Sequence, residues 1–229
     1  MDDLPHPLDN VGWHALTGPH APLAEVVGHA RRYPRDVSPF SAVDALTSEA
    51  WDDLARQAGP GHVIVLTRAE LPDPPAGWTM PFRARTHQMV AGELADVPGV
   101  DACLLGPDHA AEMVALVELT KPGPFLPRTV DLGGYVGVFD DGRLVAMTGR
   151  RMQLDGWAEV SAVCTHPNAR GRGLAAALTH RVATGIRAEG AEAFLHVAED
   201  NHTARRVYER LGFVTRRMVD FAAYRTPTT

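Results

Sequence analysis

Two hydrophobic periods alternate along the second half of the chain. From Trp157 to Thr165 side chains alternate with period two, which puts Ala158, Val160, Ala162 and Cys164 on one face of a strand. Trp157, Glu159, Ser161 and Val163 fall on the other, and the first set reads as core. The period then lengthens: Leu174, Leu178, Val182 and Ile186 form one stripe of a helix beginning near Arg172, which should pack on the sheet. A strand over Ala193 to Val197 follows, then a helix capped by Asp200 or Asn201 and stopped at Gly212. Ala204, Val207, Tyr208 and Leu211 share one side of that helix, and Phe213 to Phe221 supplies closing β-structure.

Upstream, Ala102 to Leu105 reads as a strand and His109 to Leu119 as a helix, with Met113, Leu116 and Val117 at helical spacing. The prolines of Lys121-Pro-Gly-Pro-Phe-Leu-Pro127 break regular structure, and Asp140-Asp-Gly-Arg143 between two apolar runs predicts a hairpin. In the first hundred residues helices are expected around Leu23 to Arg32 and Ser48 to Gln57. Strands are expected at His62 to Thr67 and Phe82 to Val90, separated by the breaker-rich Leu71 to Gly77. No motif in this part carries chemistry. The pattern divides the chain into an N-terminal α/β region, 1–99, and a second unit, 100–229, with strands and helices mixed.

Composition narrows the functional classes. Hydrophobic residues at 45% and charged residues at 22% describe an ordinary globular protein. A net charge of −6 argues against a general nucleic-acid binder, which needs clustered basic residues. Cys103 and Cys164 lie in apolar stretches without metal-ligand spacing, so a reducing, cytoplasmic compartment and no metal are expected. No apolar run approaches the ~18 residues of a membrane span, so neither export nor membrane insertion is expected.

The strongest chemical signal is Val163-Cys-Thr-His-Pro-Asn-Ala-Arg-Gly-Arg-Gly-Leu-Ala175, where a strand ends and a helix begins among glycines. Free N–H groups at a helix start, with the dipole behind them, bind anions such as a pyrophosphate. Gly171 and Gly173 allow close backbone approach, and Arg170 and Arg172 add charge. A dinucleotide fingerprint is a poor fit, because that turn follows the first strand of a larger βα array. The Walker pattern is absent, and a glycine-rich turn that binds nothing stays open for this loop taken alone.

Arg170-Gly-Arg-Gly173-Leu-Ala175 resembles the [QR]-x-x-G-x-[GA] motif of the GNAT superfamily of N-acetyltransferases. Asn201-His-Thr-Ala204-Arg-Arg-Val-Tyr208, followed by Gly212-Phe213, resembles its second signature. The resemblance covers about Val100 to Phe221. It implies a GNAT fold of the α/β (α+β) class, with splayed central strands in a mixed sheet flanked by helices. The N-terminal region would be a degenerate GNAT-like unit or a cap on the acceptor site.

It further implies that acetyl-CoA is the cosubstrate, its pantetheine arm lying along Val163, Cys164 and Thr165. The pyrophosphate would lie on the N–H groups of Arg170, Gly171, Arg172, Gly173, Leu174 and Ala175, with Asn201 on the cofactor arm. Tyr208 would protonate the leaving thiolate. Glu159 is the expected base, with Ser161 as an alternative that orders a water, while Cys164 falls on the core face and is not read as a nucleophile. Thr165 and Ala175 depart from the commonest residues of the motif. Pro122 to Pro127, with Tyr135, would wall the acceptor pocket. The implied reaction is acetylation of a small-molecule primary amine. Acetylation of a protein lysine or N-terminus is the second substrate class, and a CoA-binding sensor without turnover is the rival reading. No nucleic-acid or membrane partner is expected, and a homodimer is among the assemblies allowed.

Overall fold

The computed structural model describes residues 6–228. The N-terminal part comprises helix α1 (Val11–Thr17), strands β1 (Glu25–Val27), β2 (Ala30–Arg32) and β3 (Ser41–Ala42), helix α2 (Ser48–Ala58), and strands β4 (Val63–Arg68) and β5 (Thr79–Ala91). The hydroxyl of Thr47 caps α2 by accepting the Ala50 N–H at 3.2 Å. The helix expected over Leu23 to Arg32 is instead the β1–β2 hairpin. Gly28, at the turn, has φ +52°, and a Cβ there would run into the Asp53 carboxylate, which accepts the His29 N–H at 2.6 Å. A contact made from α2 thus fixes a turn that local periodicity does not show.

The remainder comprises β6 (Cys103–Leu104), α3 (Ala110–Thr120), β7 (Val136–Asp140), β8 (Arg143–Leu154), β9 (Trp157–Thr165), α4 (Leu174–Ala188), β10 (Glu192–Ala198), α5 (His202–Arg210) and β11 (Phe213–Arg225). Asp141 and Gly142 both have positive φ, +49° and +73°, as a tight hairpin turn between β7 and β8 requires. The expected helix stripe is buried: Leu174, Leu178, Val182 and Ile186 pack with Ala158, Val160, Leu195 and Val197. Helix α4 begins at Leu174, two residues later than the pattern suggests, because Arg170 is extended and Gly173 is left-handed.

Eight strands form one mixed sheet in the order β4-β11-β5-β10-β9-β8-β7-β6. Strand β5, from the first hundred residues, lies antiparallel between β10 and β11. The boundary expected at residues 99/100 therefore does not separate two sheets, since the N-terminal part supplies two strands of the same sheet. Its remaining elements cover one face through a second apolar cluster, in which Leu8, Tyr33 and Phe40 meet Met152 and Phe194.

Strand β9 does not keep the expected alternation. Ala162 has φ +53°, and the pairing of β8 with β9 shifts between Met147/Cys164 and Gly149/Ser161. This bulge reverses the alternation in mid-strand. Ala158, Val160 and then Val163 face α4, whereas Ala162 and Cys164 join the cluster under α3.

Candidate acyl-transfer site

The site begins where a backbone ladder stops. Strands β9 and β10 pair in parallel at Trp157/Glu192, Ala158/Ala193 and Glu159/Phe194, and no pair is formed beyond. From Val160 to Thr165 the edge of β9 that faces β10 is left without a ladder, and the strand runs on to the glycine loop. An open strand edge offers N–H and C=O groups to an extended ligand. Val163, Cys164 and Thr165 belong to this unpaired stretch. The Thr165 hydroxyl is buried and has no hydrogen-bond partner among the described residues.

At the end of β9, His166 accepts the Asn168 N–H at 3.2 Å and opens a short turn, Pro167–Ala169. Gly171 and Gly173 have φ +79° and +76°, a conformation that strains any side chain. A Cβ on either would meet no atom within 4 Å, so the space over the loop is open. No side chain caps α4, and its first N–H groups are free for an anion. Arg172 is tethered to Asp140 at 2.6 Å on the surface, while Arg170 extends into solvent.

Tyr208, on α5, is buried in the α4 cluster with its ring edge-on to Phe213 at 6.2 Å. Its phenol has no hydrogen-bond partner among the described residues. Burial, with Cys164 nearby, pushes its pKa well above the usual phenol range. Burial likewise raises the Cys164 thiol to about 11, despite a hydrogen bond with Thr120, so the thiol stays protonated and is no nucleophile at neutral pH. Asn201 caps α5, its Oδ1 accepting the Ala204 N–H at 3.1 Å, which leaves its amide N–H groups for a ligand.

Glu159 sits at the last paired position of β9, at the closed end of the gap. Its side chain is 0% exposed, held by Arg151 at 2.9 and 2.5 Å and by His196 Nδ1 at 2.7 Å. Burial alone would raise its pKa, but Arg151 and His196 outweigh it and hold the carboxyl at about 2. The Arg151 guanidinium stacks on Phe40 at 4.9 Å. The network continues from His196 Nε2 to the Gln88 amide at 3.2 Å, and from the Gln88 oxygen to Arg216 at 2.8 Å and on to Asp9 at 2.7 Å. Sequence reading missed Arg151, His196 and Gln88. For Arg151 the signal was the Asp155-Gly156 turn, which folds β8 back on β9; the other two come from strands distant in sequence.

On the α3 face, Tyr135 is buried with its ring in the space that a side chain on Gly149 would need, beside the bulge, and Phe125 packs edge-on against it at 5.6 Å. The loop bearing Phe125 is tied to the N-terminal part, Thr129 donating to the Val37 carbonyl at 2.6 Å. A cleft of ≈ 620 Å³ between Arg83, Arg85, Arg217 and Asp220 contains none of these residues. Among the described residues no group of three or more His, Cys, Asp or Glu could hold a metal ion, and no helix is long and apolar enough to cross a membrane.

The family model described as FR47-like protein matches residues 135–222. A GNAT-family protein from Novosphingobium aromaticivorans superposes with a TM-score of 0.89 at 37% identity, covering 98% of this chain and 100% of that one. A GCN5-related N-acetyltransferase from Kribbella flavida is 22% identical with a TM-score of 0.61, over 95% of this chain and 94% of that one. A GCN5-related N-acetyltransferase-like protein from Streptococcus suis is 16% identical with a TM-score of 0.52, over 98% and 94%. No curated protein matches. The parted strands, the glycine loop and an identity of 37% over almost the whole length make this chain a member of the GNAT family of acetyltransferases.

Proposed function

We propose that the protein moves an acetyl group from acetyl-CoA to a primary amine of a small molecule, by direct attack while both are bound. The observation that carries this reading is the unpaired edge of β9 leading into an uncapped α4 with open space over Gly171 and Gly173. Val163 to Thr165 hold the extended arm through backbone groups, and the N–H groups of Gly171 to Ala175 hold the pyrophosphate, with Arg170, whose own N–H is taken by the Pro167 carbonyl at 3.3 Å, and Arg172 adding charge. Asn201 offers its free amide N–H groups to the arm. When bound, acetyl-CoA supplies a thioester with a transferable acyl group.

The chain's own residues manage the protons. Amide formation takes one proton from the amine nitrogen and returns one to the thiol. Tyr208 stays a phenol at neutral pH and carries the proton that the thiolate needs. Glu159 is not retained as the base: it is sealed, ionised and committed to Arg151 and His196. Water at the acceptor side, ordered by Ser161, takes the proton of the amine. Tyr135 and Phe125, clamped beneath the N-terminal part, enclose that side, which supports a small acceptor over a protein side chain.

Calorimetry with acetyl-CoA, followed by thiol release in the presence of amines, tests this. Binding together with amine-dependent release of free CoA is expected. Binding without release under any amine supports the sensor reading instead, and no binding by folded protein removes the proposal.

A further inference from the structure

The buried polar residues form a ribbon across the sheet. Arg151 on β8, Glu159 on β9, His196 on β10, Gln88 on β5 and Arg216 on β11 follow the spatial order of five adjacent strands. All project toward the face that the N-terminal elements cover. The central link crosses the point at which β9 and β10 part. Glu159 belongs to the last paired position, opposite Phe194, while His196 lies two residues further along β10, past the end of the ladder. The 2.7 Å contact between their side chains therefore ties the two strands where no backbone bond does.

The parts of this tie are fixed from both sides. Gln88 accepts from Arg216 through its oxygen and donates to the Leu8 carbonyl at 2.7 Å through its nitrogen. Its amide cannot turn over without losing both bonds. The nitrogen facing His196 is thus a donor, His196 Nε2 must accept, and Nδ1 is left to donate to Glu159. Arg151 grips the same carboxylate with two nitrogens from the other side.

We propose that the Glu159–His196 bridge sets the opening of the β9–β10 gap, making both of them positioning residues for the acyl-transfer site. The inference rests on the cofactor reading given above, because the gap is where that reading seats the pantetheine arm. With the bridge intact, the edge of β9 from Val160 to Thr165 and the facing residues of β10 stand at a fixed separation. Without it the strands are free to close further or to part more widely.

The test uses the full chain with His196→Leu, which removes the donor, and His196→Asn, whose amide nitrogen falls where Nδ1 stood. His196→Gln, which keeps a polar group toward Gln88 but no donor at the Nδ1 position, replaces the leucine variant if that one does not fold. Amide exchange is read first, without any ligand. Altered protection confined to Val160 to Thr165 and Leu195 to Ala198 is expected in the leucine variant, with restoration by asparagine. Unchanged exchange there overturns the proposal, independently of any cofactor. In the second arm, the leucine variant loses about tenfold in acetyl-CoA affinity and up to ~10²-fold in kcat, as a misplacement of about 1 Å can cause. Equal affinity and turnover in folded wild type and leucine variant also overturn the proposal. Failure of wild type to bind acetyl-CoA, with the exchange result intact, sinks the cofactor reading and leaves the bridge as the device that sets the gap.

Discussion

The two ends of β9 are built on opposite terms. From Trp157 to Glu159 the strand is paired with β10, Trp157 and Ala158 with β8 as well, and its one charged side chain is sealed and matched on every side. From Val160 to Thr165 one edge is bare, a residue other than glycine sits at positive φ, and a buried hydroxyl has no partner. The closed end resembles a core in which every polar group is satisfied, whereas the open end keeps its unmet demands for a ligand. The contrast teaches that a binding gap in a sheet needs a rigid fulcrum beside it, and polar groups can supply one where the ladder has to end.

The largest effect should come from unbalancing the closed end. Replacing Glu159 with leucine leaves Arg151 buried and unpaired, and should cost about 3–5 kcal/mol of stability, read as a lower denaturant midpoint. A loss under about 1 kcal/mol would mean that the carboxylate is no fulcrum. At the open end, Gly173→Glu puts bulk and negative charge over the free N–H groups of α4. It should weaken acetyl-CoA binding by about 10²-fold or more, equal to ~2.7 kcal/mol. Its melting should change much less than that of the Glu159 variant, and calorimetry beside a thermal scan separates the two effects.

Tyr208→Phe keeps the ring against Phe213 and removes only the proton. A fall in kcat of about 10²-fold with unaltered acetyl-CoA affinity is expected, and unaltered kcat would remove Tyr208 from the chemistry. Acid distinguishes the ends more gently. Glu159 titrates at about 2 in the fold against an ordinary 4.5, so the folded state binds fewer protons than the unfolded one. The stability that Glu159 contributes is complete above its ordinary pKa and is lost as pH falls from about 4.5 toward 2. Urea midpoints taken across that window should drop in wild type, and should drop less in Glu159→Gln. Smallest of all, Arg172→Ala breaks an exposed pair with Asp140, worth about 0.2–1 kcal/mol, and should touch cofactor affinity more than stability.

Much of the open end was legible in the sequence. Glycines at 171 and 173, the stripe from Leu174 to Ile186 and the Asn201 cap are local signals, and each depends on residues within a turn or two of itself. The closed end was not. The burial of Glu159 depends on His196, thirty-seven positions away, and on a ribbon reaching Gln88 and Asp9. Strict alternation also assigned Ala162 and Cys164 to the wrong layer, because no local residue preference announces a bulge at an alanine. The hairpin at Gly28 was hidden in the same way, its turn being set by Asp53 on a later helix. Local chemistry shows in a sequence, whereas non-local pairing shows only when the strands are assembled.

The position of β5 has a consequence for how the molecule is made. On a ribosome that strand emerges well before β10 and β11, yet it must finish between them. Closure therefore joins segments more than a hundred residues apart, a high-contact-order step that slows folding and leaves strand edges exposed while it waits. The chain is thus expected to mature after synthesis rather than half by half during it, and nascent-chain handling should govern its yield more than its final stability does.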